Sequence, residues 1–384
     1  MDQEQQYKKF LANNPYPRQL KSYDEFNLIN FSSNDYLGLA KHPLLIARSQ
    51  EYAARWGVGS TASRLVTGNL TIYESLEQQL ATALNKPAAL ILGSGYQTNM
   101  SVLEALLDAR VLGKIPLIFC DRYCHNSLLS LTQHLGTIHR FQHQDYEHLR
   151  RLLAKHTNTD QPKFILAESI YSMDGDQTDL AELVSIAEQY QAFLYVDDAH
   201  AIGVYGASGW GLAPDYANGV DIIMGTFSKA LGSQGGYIAC STVMRDYLIN
   251  KCRGLIYSTA LSPAVLGAIA GALELMPQLE AARAQLMIKA ERLREFMREH
   301  DLNVGSSNSH IIPWVIGDAE QALQVSALLR EQGILATTIR PPTVPVGASR
   351  IRFCLSVLHS DENIEKLMNA ILLVKQFLSQ CHPE

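Results

Sequence analysis

The chain has 384 residues, 47% hydrophobic and 18% charged, with a formal net charge of -6. That composition excludes a disordered chain and fits a well-cored globular protein of two to three domains, or one large and one small. The acidic balance, without a polybasic run, argues against nucleic acid or an acidic membrane surface as partner. No apolar run reaches the roughly 18 residues of a membrane span. The polar N-terminus, Met1 to Gln6, lacks the apolar stretch of a signal peptide. Six scattered cysteines form no Cys-x-x-Cys pair and no zinc set, so reduced thiols, a cytoplasmic location and no metal site are expected.

Short apolar runs recur along the first two thirds of the chain: 88–92, 116–120, 163–167, 193–196, 222–224 and 237–240. Continuous runs of this length suit strands buried on both faces of a mainly parallel sheet. Helix-period segments lie between them. In one, Asp179 is placed to cap a helix whose Leu180, Leu183, Val184 and Ala187 share a face. Strand, helix, strand in this order implies an α/β architecture, whose ligands bind at the carboxyl ends of the strands. From 278 to 299 a long charged helix is expected. A strand at 311–316, a helix at 320–332, a strand at 350–355 and a helix at 361–378 follow. The division expected is an N-terminal segment (1–40), a large domain (41–277) and a small C-terminal α/β domain (278–384) that the N-terminal segment joins in space.

Two strand ends carry the chemistry. Asp197 closes one apolar run, and His200 follows three residues later. A carboxylate buried there needs a cationic partner, and a protonated pyridine nitrogen is one. A helix cap or a magnesium site at Asp197–Asp198 would use the same residue types. About thirty residues on, Thr226-Phe227-Ser228-Lys229 follows the next run. A lysine held in a dry pocket loses its proton more easily and becomes a nucleophilic amine. Thr226 and Ser228 offer hydroxyls to phosphate oxygens.

With Asp197, His200, Thr226 and Lys229 in place, the chain resembles the pyridoxal-phosphate enzymes of fold type I, and among them the α-oxoamine synthases. The resemblance runs from about Asn30 to about Leu358. It includes Phe31–Leu39, the glycine- and serine-rich Gly57–Gly68, Gly93–Asn99, Asp121–Ser127 and Glu168–Asp176. It implies pyridoxal 5'-phosphate as cofactor, with Lys229 as its covalent anchor and as the proton-abstracting base. Asp197 would face the pyridine nitrogen and His200 the ring oxygen. His125 would stack on the ring, Ser172 would bond the cofactor and Glu168 would support the pocket. Gly95, Tyr96 and Thr226 would hold the phosphate. Thr259 would bind phosphate in the neighbouring subunit, which makes a homodimer the expected assembly.

For the substrates, Arg352 matches the arginine that clamps the amino-acid carboxylate, with Arg350 on the same strand face as its competitor. Asn34 would sit near the substrate amine. Arg340–Pro345 resembles the substrate loop of the family's 8-amino-7-oxononanoate synthase branch, and Thr343 within it would lie near the acyl chain. That branch implies a decarboxylative condensation of a small amino acid, glycine or L-alanine, with a pimeloyl thioester on coenzyme A or an acyl carrier protein. Other α-oxoamine synthases, which take other acyl thioesters, are the alternative. The N-terminal region departs from the pattern by being short, and Arg18 is the candidate there for an acyl-binding cation.

Overall fold

The computed structural model describes residues 3–14 and 27–381. Its strands, in chain order, begin with β1 Ile29–Asn30, β2 Ala88–Leu92, β3 Leu117–Asp121, β4 Thr137–Phe141, β5 Lys163–Glu168 and β6 Phe193–Asp197. They continue with β7 Ile222–Thr226, β8 Gly236–Cys240, β9 Ile311–Gly317, β10 Ile334–Leu335, β11 Thr337–Ile339 and β12 Ser349–Cys354.

A seven-stranded sheet in the order β2-β8-β7-β6-β5-β3-β4 forms the centre. β4, β3, β5, β6 and β7 run parallel, and β8 is antiparallel to both β7 and β2. Every residue of β2, β3, β7 and β8 is buried, as the unbroken apolar runs require of strands covered on both faces. Each large apolar side chain so buried contributes roughly 1.5–3 kcal/mol. The edge strand β4, Thr-Ile-His-Arg-Phe, has no apolar run to announce it, and only Phe141 in it is fully buried. It pairs with β3 alone, so its outer side tolerates polar residues.

The helices fall where the periodicity places them. Asp179 caps Leu180–Tyr190 by accepting a 3.0 Å hydrogen bond from the Glu182 N–H. The charged helix runs Glu280–Glu299, after a 3-10 turn at Met276–Gln278, and the last helix extends to Cys381. Among the described residues no single helix is long and apolar enough to cross a membrane.

A second sheet, β11-β12-β9, is antiparallel. β1 pairs in parallel with β10, Ile29 opposite Ile334. The Cys354 N–H then donates to Phe31 O at 2.8 Å, and the Val357 N–H to Tyr36 O at 2.9 Å. The segment after β1 is thereby stitched along the end of β12, which brings Asn34 and Tyr36 against Arg352 across more than three hundred residues of sequence.

Four polar residues terminate neighbouring strands: Asp121 on β3, Glu168 on β5, Asp197 on β6 and Thr226 on β7. After β7 the chain turns back to β8 through Phe227–Gly235, closed by bonds from the Ser233 N–H to Phe227 O at 2.8 Å and from the Gly232 N–H to Lys229 O at 2.9 Å. Gly232 sits at φ +60°, and a Cβ there would lie 2.4 Å from Ala40 N. The loop that carries Lys229 is thus pressed against the backbone of the 39–40 turn. Gly232→Ala is expected to lower the thermal unfolding midpoint and the amount of cofactor retained. Calorimetry and cofactor content of the purified variant check this.

Candidate active site

A cavity of about 340 Å³ opens at the carboxyl edge of the central sheet. Lys229, Asp197, His200, His125, Ser172 and Thr226 all line it, together with Gly95, Tyr96, Asn34 and Arg352. Residues read from seven separate stretches of sequence therefore converge on one site. Three expected residues do not line it. Thr343 lines a neighbouring cavity. Thr259 is exposed and bridges to Ser63. Arg18 lies outside the described residues.

Lys229 is half-buried where it lines the cavity. Burial lowers its pKa to about 8, against the opposing pull of the Asp197 and Glu168 charges. Asp197 is 6% exposed. One of its oxygens accepts from Asn99 Nδ2 at 2.7 Å and the other from the Ala199 N–H at 3.0 Å. Both donors are neutral, and among the described residues Asp197 enters no salt bridge. Its neighbour Asp198 does the capping work instead, accepting from the N–H groups of Leu212 at 3.0 Å and Ala213 at 3.3 Å. Burial pushes Asp198 up to about 7. Among the described residues no three His, Cys, Asp or Glu side chains group as a metal site.

Asn99 is a functional residue that motif reading passed over. It stands one helical turn after Gly95 on the helix Gly95–Leu106, on the same face. Its Nδ2 donates to Asp197 and, at 2.9 Å, to Ser127 Oγ, while its Oδ1 accepts from the Tyr195 hydroxyl at 2.7 Å. Ser127 Oγ in turn lies 2.7 Å from His125 Nδ1. Nδ1 also accepts from the Ser127 N–H at 3.2 Å, so the neutral ring carries its proton on Nε2. Burial lowers the His125 pKa and favours that neutral form. The His125 N–H donates to Glu168 Oε1 at 2.5 Å. Burial, reinforced by the Asp197 charge, holds Glu168 well above the usual carboxylate range. Glu168 therefore braces the His125 turn.

A second network ties His200 to Arg352. Tyr36, completely buried, places its hydroxyl 2.7 Å from His200 Nδ1 and 3.0 Å from Asn34 Oδ1. Arg352 donates from Nη2 to Asn34 Oδ1 at 3.1 Å and from Nε to Ser172 O at 2.6 Å. Arg350 is spent elsewhere, with Nη1 2.5 Å from Asp174 Oδ1. That leaves Arg352 as the guanidinium of the first cavity. Burial, then the Lys229 and Arg352 charges, keep His200 far below the ordinary histidine range and therefore neutral.

The helix-terminal end of the cavity is equally ordered. Ser94 caps the helix Gly95–Leu106, accepting from the Gln97 N–H at 3.1 Å. Thr226 Oγ1 lies 2.8 Å from Ser228 Oγ and donates to Gly235 O at 2.8 Å. A Cβ on Gly95 would come within 3.2 Å of Thr226 Oγ1, so glycine is what lets the helix N-terminus approach the end of β7. Hydroxyls beside a helix N-terminus make an anion site.

A depressed lysine, a buried carboxylate hydrogen-bonded without an ion partner and a helix-terminal anion cradle define a site of the fold type I pyridoxal-phosphate class. The comparisons agree with that class. The family model for aminotransferase class I and II matches residues 27–371. The chain is 51% identical over 346 residues to a protein of Paramagnetospirillum magneticum provisionally named 8-amino-7-oxononanoate synthase, covering 90% of this chain and 88% of that one. It is 46% identical over 351 residues to the 8-amino-7-oxononanoate synthase of Gluconacetobacter diazotrophicus, covering 91% and 88%. A solved structure of SPT (serine palmitoyltransferase) with its PLP internal aldimine superposes with a TM-score of 0.86 at 25% identity, covering 92% of this chain and 88% of that one. The chain belongs to the class I and II aminotransferase family and, within it, to the 8-amino-7-oxononanoate synthases, a pyridoxal-phosphate-dependent group of acyltransferases.

One histidine outside the cavity is held between two acids. The side chain of His143 is 16% exposed, with Nδ1 2.9 Å from Asp121 and Nε2 2.7 Å from Asp176. Burial disfavours its charge, yet the two carboxylates outweigh burial and push its pKa up to about 10. Unfolded, the imidazole loses its proton near 6.5. Between those pH values the folded state binds the extra proton, so this contribution is complete below about 6.5 and is lost as pH rises towards about 10. The thermal midpoint of the wild type is expected to fall over that range, and His143→Gln to flatten the fall. Parallel pH–midpoint curves for the two proteins would refute the assignment.

Proposed function

We propose that the protein condenses L-alanine with a pimeloyl thioester, with loss of carbon dioxide and the thiol, to form 8-amino-7-oxononanoate. The observation that carries this reading is the shared cavity of Lys229, Asp197 and Arg352, which adjoins the cavity of the Thr343 loop at His125 and Ser172. A nine-carbon product from a seven-carbon acyl chain, after loss of one carboxyl carbon, needs a three-carbon amino acid. That count selects alanine over glycine.

Pyridoxal phosphate, when bound, supplies an electron-withdrawing ring for the electron pair left at the amino-acid Cα. Everything else falls to the chain. Lys229 would hold the cofactor, and its amine, when free, would take the Cα proton as general base. A pKa of about 8 leaves a useful fraction of its amine unprotonated near neutral pH. Asp197 keeps the ring nitrogen protonated, and Asn99 fixes the carboxylate for that task. Ser94, Gly95 and Thr226 bind phosphate. Arg352, oriented by Ser172 O and Asn34, takes the amino-acid carboxylate. His125, neutral with its proton on Nε2, donates to the thioester carbonyl as negative charge develops there.

The reading extends to a cytoplasmic homodimer in which Thr259 reaches the phosphate of the neighbouring subunit. It is supported by the exposure of Thr259 and of Tyr257 beside it, 80% exposed, and by the five described free cysteines. The other reading is an α-oxoamine synthase with a shorter acyl donor.

Wild-type protein incubated with pyridoxal phosphate is expected to show a visible absorbance band that borohydride fixes to Lys229, and Lys229→Ala to lack it. The rate of that uptake should rise as pH passes about 8, because the neutral amine is the nucleophile. Alanine with pimeloyl thioester should turn over faster than with acetyl or succinyl thioesters, and the reverse order would overturn the acyl assignment. Arg352→Ala should raise the KM for alanine about tenfold or more, as loss of a charge-assisted carboxylate contact requires.

A further inference from the structure

The larger cavity beside the active site measures about 730 Å³ and shares His125, Ser172 and Met173 with it. His125, Ser172 and Met173 thus stand at the boundary of the two cavities. Leu129, Tyr171, Pro342 and Val344 give it apolar walls suited to a methylene chain. Its charged groups are unbalanced. Three arginines line it, Arg122, Arg140 and Arg350, against one carboxylate, Asp174. Arg350 is 4% exposed and already matched to Asp174 at 2.5 Å, so that pair cancels.

Arg122 and Arg140 are left. Arg122 follows directly on Asp121, the last residue of β3, and Arg140 lies on β4, opposite Cys120 of β3. The Arg140 guanidinium donates to Arg122 O, and the Arg122 guanidinium to the neutral amide of Gln142. Both side chains are exposed, and among the described residues neither enters a salt bridge. Two neighbouring guanidiniums facing an apolar-walled cavity, with no acid of their own, attract and orient an anion.

We infer that Arg122 and Arg140 form an anion subsite for the distal negative group of the acyl substrate. The inference rests on the acyl-thioester reading above and adds what recognises the far end. A terminal carboxylate on a dicarboxylic acyl chain and the phosphates of a thioester carrier share the chemistry the pair binds.

The test is steady-state kinetics of the cofactor-loaded wild type and the Arg122→Gln/Arg140→Gln double variant at saturating alanine. Three donors are compared: pimeloyl-CoA, heptanoyl-CoA with an uncharged tail, and the pimeloyl N-acetylcysteamine thioester without phosphates. The KM for pimeloyl-CoA is expected to rise about tenfold or more, the size of a lost charge-assisted contact, with kcat, the KM for alanine and the visible cofactor band near wild type. An increase confined to the two pimeloyl donors assigns the pair to the terminal carboxylate. An increase confined to the two CoA donors assigns it to the carrier phosphates. Arg122→Lys/Arg140→Lys should recover part of the loss. KM values within twofold of wild type for all three donors overturn the subsite, as does a variant that loses only kcat and its cofactor band. A wild type that uses none of these donors but accepts another acyl thioester defeats the proposed specificity instead. The double variant is then assayed on that donor and on its N-acetylcysteamine analogue, and unchanged KM values for both overturn the subsite.

Discussion

A carboxylate buried at a strand end with only neutral donors around it is the constraint on which the rest of this molecule depends. Removing Asp197 from water costs several kcal/mol unless a cation repays it. Asn99 and the Ala199 N–H satisfy its oxygens without cancelling its charge. The site therefore carries a standing preference for a cationic ring nitrogen. The same negative charge works against the burial that lowers the Lys229 pKa and adds to the burial that raises that of Glu168. One charge in a low-dielectric cavity thus shapes the titration of the groups around it.

The sheet explains why these groups meet. In parallel strands the carboxyl ends fall on one edge, and β3, β5, β6 and β7 each close with a polar residue there. Register does the rest, setting Glu168 opposite Asp197. The N-terminus of the helix Gly95–Leu106 completes the floor, and Gly95 permits its close approach. The remaining wall comes from the far end of the chain. β12 presents Arg352, and the segment after β1 lies along it, so Asn34 and Tyr36 join the arginine to His200. Arg352 and His200 are thereby parts of one hydrogen-bonded unit, a coupling that holds the two side chains in a fixed mutual orientation.

Much of this was legible before any coordinates. The apolar runs of β2, β3, β5, β6, β7 and β8 mark buried strands because a strand covered on both faces cannot alternate. Asp179 announces its helix by the same local logic. Lys229, Asp197, His200, His125 and Arg352 stand in motifs whose residue types are expensive to bury for any structural reason alone. What escaped reading has equally physical causes. β4 is half-exposed, so its pattern resembles a loop. Asn99 is an unremarked amide one turn into a helix, and its importance lies in a partner, Asp197, 98 residues away. His143 sits among polar residues in sequence, and only folding closes Asp121 and Asp176 upon it.

By itself the amino-acid sequence determined the class of fold, the buried strands and most of the residues that line the cavity, because burial periodicity and costly residue types are local properties. Tertiary structure alone decided which of two arginines on one strand faces the cofactor cavity, since Asp174 removes Arg350 from the contest. It alone revealed that, among the described residues, Asp197 enters no salt bridge, that Tyr36 links two halves of the site, and that Arg122 and Arg140 line an adjoining cavity with no salt bridge of their own. Each of these depends on distances between residues remote in sequence, and a charge acquires its role only from what the fold sets beside it.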